Sequence, residues 1–247
     1  MAASVTGALR SGQSLGTGLW MAQDDAKKIA GEAALAELPS EGIIGLGTGS
    51  TTRFFIEALA RAVSEGAKYV GVPTSESSRS LARSLGIPLL GDEGPWVIDV
   101  TVDGADEVDR DLHLIKGGGG AQTREKIVNF ASKRNVIIVD ESKLSAQLGE
   151  QWAVPVEVLH FAHAQTAAQL KRFGGVAMRM RNGEPWKTDS GNFIYDIATG
   201  PIASPRELDA VLHAVPGVVE TGLFCGRSDI VLVAGASGVR RLVRGSV

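Results

Sequence analysis

The feature that most constrains the fold is an alternation, over the first 140 residues, of short apolar strands with segments of helical periodicity. The strands are rich in Val and Ile, which is typical of a parallel sheet covered on both faces. The predicted strands are Gly42–Leu46, Tyr69–Val72, Ile87–Leu90, Val97–Val102 and Asn135–Val139, and the predicted helices are Gln23–Leu38, Arg53–Ser64, Ser75–Leu85 and Ala121–Lys133. Ligands of such sheets bind beyond the carboxyl ends of the strands, so polar residues there are candidates for a site.

A different order of elements follows residue 149. The predicted elements are a strand over Val154–Leu159, a helix over Ala162–Phe173, strands over Val176–Met180 and Asn192–Ile197, a helix over Pro205–Ala214 and a strand over Val218–Phe224. This β-α-β-β-α-β order is typical of a ferredoxin-like unit. A buried strand over Ile230–Ala234 is then expected to return to the first sheet.

The sequence therefore predicts an α/β fold in two parts. A Rossmann-like parallel-sheet domain comprises residues 21–148 and 225–247, and a smaller inserted ferredoxin-like α+β domain comprises residues 149–224. Residues 1–20 are rich in Gly, Ser and Ala and have little apolar content to bury, so we predict a disordered leader there.

Composition narrows the class of ligand. The net charge of -3, without a Lys/Arg-rich block, argues against a nucleic-acid partner. No apolar run reaches the length of about 18 residues that a membrane span needs, so we expect no membrane partner. The single cysteine, Cys225, excludes a disulfide framework within the chain and a multi-cysteine metal site, and it is compatible with a reducing cytoplasm. A small anionic ligand remains possible, because local positive groups decide its binding.

The first candidate motif is the glycine turn Gly45–Thr51 between a strand and a helix. Backbone N–H groups at the start of a helix suit an anion such as phosphate, and the hydroxyls of Thr48, Ser50 and Thr51 add donors. The turn is not a Walker loop, and Ser50 stands where the dinucleotide fingerprint requires its third glycine. A glycine turn that merely permits close packing is the alternative.

Two further motifs follow apolar strands. Asp103 and Asp106 leave the end of one strand, where each alone could cap the next element and the pair could bind a metal. No histidine lies near them; His113 is the closest, and all four histidines are interpreted as ordinary residues.

Lys116 precedes four glycines, which suggests a backbone passing close to a ligand and an ammonium that stabilises an oxyanion. Glu125, near the start of the next helix, could face a polar site or simply favour the helix dipole.

Together these residues resemble the A-type ribose-5-phosphate isomerase family. The matching stretches, in the family's order, are Gly47–Thr51, Val102–Glu107, Ile115–Gly119, Thr123–Lys126, Asp140–Lys143, Pro155–Val158 and Pro216–Val219. One departure is Gln122, which stands where the family often has a leucine and puts local helix packing in doubt.

The resemblance implies a role for each candidate residue. Glu125 would be the catalytic base, Asp103 and Asp106 would position hydroxyls and assist ring opening, and Lys116 would act at the reacting carbons. The implied substrate-binding residues are Lys27, Thr48, Gly49, Ser50, Thr51, Asp103, Gly104, Ala105, Asp106, Lys116, Gly117, Gly118, Gly119 and Lys143, with Lys27 and Lys143 near the phosphate.

The resemblance also implies a reaction and a mode of assembly. The chain would interconvert D-ribose 5-phosphate and D-ribulose 5-phosphate through an enediol, without a metal or other cofactor, as a cytoplasmic homodimer or homotetramer. The main alternative is a sugar-phosphate-sensing domain of a transcription regulator, which the lack of a basic recognition helix disfavours. An amino-sugar phosphate deaminase and an acyl-CoA transferase share the scaffold, but the set of Asp103, Asp106, Lys116 and Glu125 argues against both.

Overall fold

The computed structural model describes residues 16–245, with side chains from residue 24 onward. Its helices are α1 (Gly16–Ala33), α2 (Ser50–Ser64), α3 (Glu76–Ser84), α4 (Gln122–Phe130), α5 (His163–Leu170) and α6 (Pro205–His213), with short 3-10 helices at Ala34–Glu37, Glu141–Lys143 and Lys171–Phe173. The predicted leader lies outside the described residues as far as residue 15, whereas residues 16–20 belong to α1, so the prediction of disorder is wrong for them. α1 begins before the predicted Gln23, because Gly16 and Gly18 are weak helix formers that conceal this start in the sequence. No helix of the described chain is long and apolar enough to cross a membrane.

Fifteen strands complete the described part of the chain. They are β1 (Glu41–Leu46), β2 (Lys68–Pro73), β3 (Ile98–Asp103), β4 (Glu107–Val108), β5 (Leu114–Ile115), β6 (Ser132–Asp140), β7 (Val154–Val158), β8 (Gly175–Met178), β9 (Met180–Arg181), β10 (Glu184–Pro185), β11 (Phe193–Ala198), β12 (Val218–Thr221), β13 (Leu223–Phe224), β14 (Ile230–Gly235) and β15 (Gly238–Val243). Six of them form the large sheet, in the order β15-β14-β6-β3-β1-β2. All neighbours in it are parallel except β14 and β15, which confirms the predicted sheet and the return of the strand over Ile230–Ala234.

Two details of this sheet differ from the sequence pattern. β15 is not predicted, because Arg240 and Arg241 interrupt its apolar residues; charged residues are common on edge strands. The predicted strand Ile87–Leu90 forms only a single bridge to Gly71, since Pro88 has no N–H to donate to a ladder.

Both faces of the large sheet are covered, as the Val/Ile-rich strands predict. Alternate residues of a strand point to opposite faces. In β6, Val136 and Ile138 join an apolar cluster with α1, α2 and α3 on one face. Ile137 and Val139 pack on the other face with Phe224 and the small three-stranded sheet β13-β5-β4.

The second sheet has the order β12-β7-β11-β8, and all of its neighbours are antiparallel. α5 and α6 bury Leu170 and Leu212 in one apolar cluster with Val156 and Ile197 of this sheet. The β-α-β-β-α-β order and the sheet therefore confirm the predicted ferredoxin-like unit, with the hairpin β9-β10 inserted before β11.

The predicted strand Val218–Phe224 is divided between two sheets. Gly222 separates β12 from β13: its N–H donates to the Pro155 carbonyl over 2.6 Å, and its carbonyl accepts from the Lys116 N–H over 2.8 Å. A Cβ at Gly222 would collide with the Lys116 carbonyl, so only glycine fits this crossing. The crossing joins the second sheet to β5, which Lys116 follows directly.

The carboxyl ends of β1, β3 and β6 lie side by side, because these strands neighbour one another in the large sheet. The segments that follow them begin at Gly47, Gly104 and Glu141. Each belongs to a motif that the sequence places at a strand end, so the fold brings these motifs to one edge.

Candidate active site

The loop after β1 leaves the amino terminus of α2 open to an anion. Gly49 has a φ of +121°, a conformation that L side chains rarely adopt, and α2 begins at Ser50 without a side-chain cap. The first N–H groups of a helix have no partner within it, and its dipole favours negative charge there. A Cβ at Gly47 would collide with the Asp103 carboxylate, so glycine lets the loop pass next to β3.

Thr48 lies in this loop, but its polar groups point into the protein. Its N–H donates to Asp103 Oδ1 over 3.1 Å, and its hydroxyl lies 2.8 Å from the hydroxyls of both Thr74 and Ser75. This differs from the expectation that Thr48 offers a hydroxyl to a ligand, because long-range neighbours that the sequence does not reveal occupy it. Thr48 supports the loop and presents its methyl group toward Gly119.

Three ionisable side chains meet beneath the cavity. The Lys116 ammonium lies 2.9 Å from Asp103 Oδ2 and 3.4 Å from Glu125 Oε2, and it donates to the Gly104 carbonyl over 2.6 Å. Lys116 and Glu125 are each only 3% exposed. Apart from this ion pair with Lys116, Glu125 Oε2 accepts no hydrogen bond from residues 24–245, so this carboxyl oxygen is only partly satisfied.

Burial and neighbouring charge shift the pKa values of this group. Burial raises the pKa of Glu125 to about 8, with the Lys116 ammonium opposing it and the Asp103 and Asp106 charges adding to it. Burial alone would lower the pKa of Lys116, but the Asp103 and Glu125 carboxylates outweigh burial and raise it. The group therefore combines a permanent ammonium with a carboxyl that can bind or release a proton near neutral pH.

Asp106 and the second glycine turn, residues 117–120, form the next wall of the cavity. Asp106 Oδ2 accepts the Gly118 N–H over 2.7 Å, and a Cβ at Gly118 would press against this carboxylate. Gly117 has a φ of +104°, which again favours glycine. The glycines thus bring the backbone close to a carboxylate and to the cavity at once.

The neighbours of Glu125 in sequence anchor α4 to three other elements, which sequence reasoning missed. Thr123 donates to Glu157 of β7, Arg124 donates to Glu76 of α3 over 2.8 Å, and Lys126 donates to Glu220 of β12 over 2.6 Å. In the sequence, the polar residues on several faces of this helix indicate that more than one face contacts a polar partner. These contacts fix the backbone that carries Glu125.

Gln122 departs from ordinary helix packing. Its side chain is fully buried, and neither its amide nitrogen nor its amide oxygen has a hydrogen-bond partner among residues 24–245. It lies under Gly117, where an added Cβ would sit 2.9 Å from the amide oxygen. Unpaired buried amides cost stability, so the doubt raised by the sequence about packing at this position has a physical basis.

Lys27 and Lys143 both line the cavity. Lys27 of α1 forms an ion pair with Asp24 at 3.6 Å. Lys143 lies over the Trp152 ring at 5.0 Å. The loop that carries Trp152 is held by buried Glu107, whose carboxylate accepts from the N–H groups of Gly149, Gln151 and Trp152. Glu107 follows Asp106 directly, and the sequence does not reveal this supporting function.

These elements surround a polar cavity of about 140 Å³. Its lining residues are Lys27, Thr48, Gly49, Ser50, Thr51, Thr52, Gly104, Ala105, Asp106, Lys116, Gly117, Gly118, Gly119, Glu125 and Lys143. The structure thus brings together every candidate residue of the sequence except Asp103, which lies behind the wall in contact with Lys116. Thr52 is the one lining residue that the sequence does not predict.

The carboxylates of the cavity do not converge as metal ligands do. Among the described residues, the only group of three His, Cys, Asp or Glu side chains with converging ligand atoms is Asp209, His213 and Glu220. The Lys126 ammonium lies 2.6 Å from Glu220 and 3.8 Å from Asp209, so a cation already occupies this group.

Comparisons with known proteins agree on one family. The sequence profile of ribose 5-phosphate isomerase A (phosphoriboisomerase A) matches residues 70–238, more than half of the chain. Ribose-5-phosphate isomerase A of Desulfatibacillum aliphaticivorans is 50% identical over 224 residues, covering 89% of this chain and 97% of that protein. The Thermococcus kodakarensis protein of the same name is 42% identical over 226 residues, covering 90% of this chain and 99% of that one.

Solved structures give the same answer. A D-ribose-5-phosphate isomerase in complex with phospho-erythronic acid superposes with a TM-score of 0.86 at 40% identity, covering 90% of this chain and 99% of that one. Ribose 5-phosphate isomerase of Plasmodium falciparum superposes with a TM-score of 0.86 at 38% identity and the same coverage.

Proposed function

Because this chain belongs to the ribose 5-phosphate isomerase A family, we propose that it interconverts D-ribose 5-phosphate and D-ribulose 5-phosphate in the non-oxidative pentose phosphate pathway. The observation that carries the proposal is the buried Glu125 carboxyl, whose pKa is raised to about 8 beside the Lys116 ammonium. A base of that strength is suited to remove a weakly acidic proton near neutral pH.

The phosphate group of the substrate binds at the open amino terminus of α2. The N–H groups and hydroxyls of Ser50 and Thr51 line the cavity there, and Lys27 and Lys143 supply positive charge. A helix terminus with two lysines suits a phosphate dianion. In this proposal the reacting carbons lie at Lys116 and Glu125, which also line the cavity.

The sugar hydroxyls meet the acidic wall. Asp106 lines the cavity and accepts hydrogen bonds from the sugar hydroxyls, while Asp103 lies behind the wall and holds the Lys116 ammonium 2.9 Å away. Together the two carboxylates assist ring opening and orient the open-chain sugar. Orienting the bound sugar lowers the activation barrier of the reaction, because the translational and rotational entropy is already lost on binding.

The isomerisation is a proton transfer between adjacent carbons. Glu125 takes the proton from C2 of the aldose; the C–H electron pair forms the C1–C2 double bond, and the carbonyl electrons move onto O1. The Lys116 ammonium stabilises the negative charge on O1. A proton passes from the O2 hydroxyl to O1. Glu125 then returns its proton to C1: the electrons of the C1–C2 double bond form the new C1–H bond, and the electrons on O2 form the C2 ketone. No atom is gained or lost.

Further properties follow from the family and the sequence. We propose that the chain works as a homodimer or homotetramer in the cytoplasm, with residues 21–148 and 225–247 as one domain and 149–224 as the other. Light scattering of the purified protein tests the assembly, because a monomeric mass would contradict it.

A coupled assay of ribulose 5-phosphate formation from ribose 5-phosphate, with and without EDTA, tests the proposal. We expect turnover that EDTA does not change, because the described residues at the cavity offer no converging set of metal ligands. Turnover that is lost in chelator and restored by a divalent cation would contradict a metal-independent mechanism. Binding of ribose 5-phosphate without turnover would instead favour the sugar-phosphate-sensing alternative.

A further inference from the structure

Arg179 does not line the cavity, but it contacts a turn that does, the second glycine turn, residues 117–120. It holds this turn from the side that faces away from the cavity. It lies between β8 and β9 of the second sheet. Its Nη1 donates to the Gly117 carbonyl over 2.5 Å and to the Gly118 carbonyl over 3.2 Å. One guanidinium nitrogen therefore fixes two successive carbonyls of the turn from the side opposite the cavity.

Asp106 holds the same turn from the inner side, through the Gly118 N–H. A trans peptide group is planar, and its N–H points away from its carbonyl. Because the Gly118 carbonyl points to Arg179, the Gly119 N–H points the other way, toward the cavity. This N–H forms no hydrogen bond with any residue of the range 24–245, and Gly119 lines the cavity. It is a free donor in the wall that Asp106 and the glycines after Lys116 form.

Arg179 is itself held firmly. Its Nε donates to Asp196 Oδ2 over 2.9 Å, Nη2 donates to Asp196 Oδ1, and the guanidinium lies 5.6 Å from the centre of the Trp186 ring. Trp186 in turn packs against Gly120 at the end of the turn. The Arg179 side chain is 12% exposed, so solvent competes little for its hydrogen bonds.

We infer that Arg179 is a positioning residue for the isomerisation: by holding the Gly117 and Gly118 carbonyls, it directs the Gly119 N–H at the oxygen that becomes negative in the enediol step. The inference rests on the proposed function. Two further effects follow. The guanidinium polarises the peptide group and strengthens its N–H as a donor, and the second sheet contributes to the site without touching substrate.

Kinetics of Arg179→Met and Arg179→Lys test this inference, with Arg181→Met as the matched control. Arg181 also lies over the Trp186 ring, at 5.4 Å, but it is exposed and contacts no glycine of the turn. Removing an oxyanion donor costs about 10²–10³-fold in kcat. Displacing one by loss of Arg179 should cost about 10–100-fold, mostly in kcat, with KM for ribose 5-phosphate little changed. The control should keep wild-type kinetics.

Phospho-erythronic acid gives a second readout, because its carboxylate resembles the charged oxygens of the enediol step. Its affinity should fall in Arg179→Met by about the same factor as kcat/KM, since both report binding of the same charge. The affinity for inorganic phosphate, which reports only the α2 terminus, should not change. A merely structural role for Arg179 would weaken both ligands together.

Arg179→Lys keeps a positive charge for Asp196, so it protects the fold if the methionine variant is unstable. A compact ammonium cannot reproduce the forked contacts of guanidinium, and kcat should still fall. A kcat within about twofold of wild type in either folded variant overturns the inference. That outcome leaves the proposed function intact, whereas absence of isomerase activity in the wild-type protein would refute the function itself.

Discussion

Glu125 and Lys126 are consecutive residues of α4, and each belongs to a different ionic cluster. The two clusters differ in how completely their charges are paired. The reactive cluster comprises Asp103, Lys116 and Glu125, and the anchoring cluster comprises Lys126, Asp209, His213 and Glu220. The reactive cluster has two carboxyl groups for one ammonium, and apart from its ion pair with Lys116, Glu125 Oε2 accepts no hydrogen bond within the described chain. Burial therefore raises the pKa of Glu125 to about 8.

The anchoring cluster is balanced. His213 lies 2.7 Å from Glu220 and 3.3 Å from Asp209, and hydrogen bonds to these two carboxylates raise its pKa to about 10. Burial opposes ionisation of Asp209 and Glu220, but His213 and Lys126 outweigh it and lower both pKa values. Two positive and two negative charges satisfy one another. The same helix thus carries a partly unsatisfied carboxyl for chemistry and a balanced ionic network that holds the helix in place.

The largest expected effect is on catalysis by the reactive cluster. Glu125→Gln keeps the size of the side chain but cannot accept the C2 proton. We expect kcat to fall by at least about 10²–10⁴-fold, while circular dichroism and the affinity for inorganic phosphate stay near wild type. If the variant kept more than about a tenth of wild-type kcat, the loss would be smaller than a missing base causes, and Asp103 or Asp106 would become the candidates.

A pH profile sharpens the contrast. Glu125 must be deprotonated to act as a base and its pKa is about 8, so kcat/KM should fall as the pH decreases below 8. The fall should approach about tenfold per pH unit. An activity plateau that extends unchanged down to pH 5 would show that the carboxyl is not shifted in the free enzyme.

The same pKa shift predicts that stability, unlike activity, decreases as the pH rises. A carboxyl whose pKa is raised on folding stabilises the protein while protonated, and this contribution is lost as the pH rises from its ordinary value of 4.5 through about 8. Glu125→Gln stays neutral throughout. Its Tm relative to wild type should therefore be higher at pH 9 than at pH 5.

The anchoring cluster should respond in stability rather than in rate. Glu220→Gln removes the charge that pairs with Lys126 and His213. We expect the free energy of unfolding to fall by about 1–3 kcal/mol, the usual cost of losing hydrogen bonds to charged groups, with kcat near wild type. Urea denaturation measures the loss, and Glu184→Gln at an exposed site is the control. A collapse of kcat comparable to that of Glu125→Gln would erase the distinction between the clusters.

The smallest effect concerns the amide beside the reactive cluster. Gln122→Leu replaces a fully buried, unpaired amide by an apolar side chain of similar size. The free energy of unfolding should rise by about 1–2 kcal/mol, because the unpaired amide no longer has to be buried. Destabilisation in urea denaturation would instead indicate that the amide has a partner, such as a bound water.

Much of the site could be predicted because small and charged residues interrupt an otherwise apolar pattern. The glycines before Ser50, the carboxylates at and just after the end of β3, and the glycines after Lys116 all stand at element ends, where packing alone does not explain them. The fold class follows from the same pattern, since Val/Ile-rich strands buried on both faces leave few other arrangements.

What the sequence could not reveal depends on contacts between distant residues. The Thr48 hydroxyl faces Thr74 and Ser75 rather than the cavity, which nothing in the local motif indicates. Arg179 reaches Gly117 across 62 positions of the chain. The early start of α1 and the edge strand β15 are hidden for another reason, because glycine and arginine weaken the local signal there.

Exchange of the substrate C2 proton with solvent shows directly whether Glu125 removes that proton. Ribose 5-phosphate is incubated in D₂O with wild-type protein or with Glu125→Gln, and deuterium at C2 is followed by NMR. We predict that the wild-type protein incorporates deuterium as the enediol forms and reverts, and that Glu125→Gln incorporates none above the uncatalysed background. Incorporation by Glu125→Gln at the wild-type rate would show that another group removes the C2 proton, which contradicts the account.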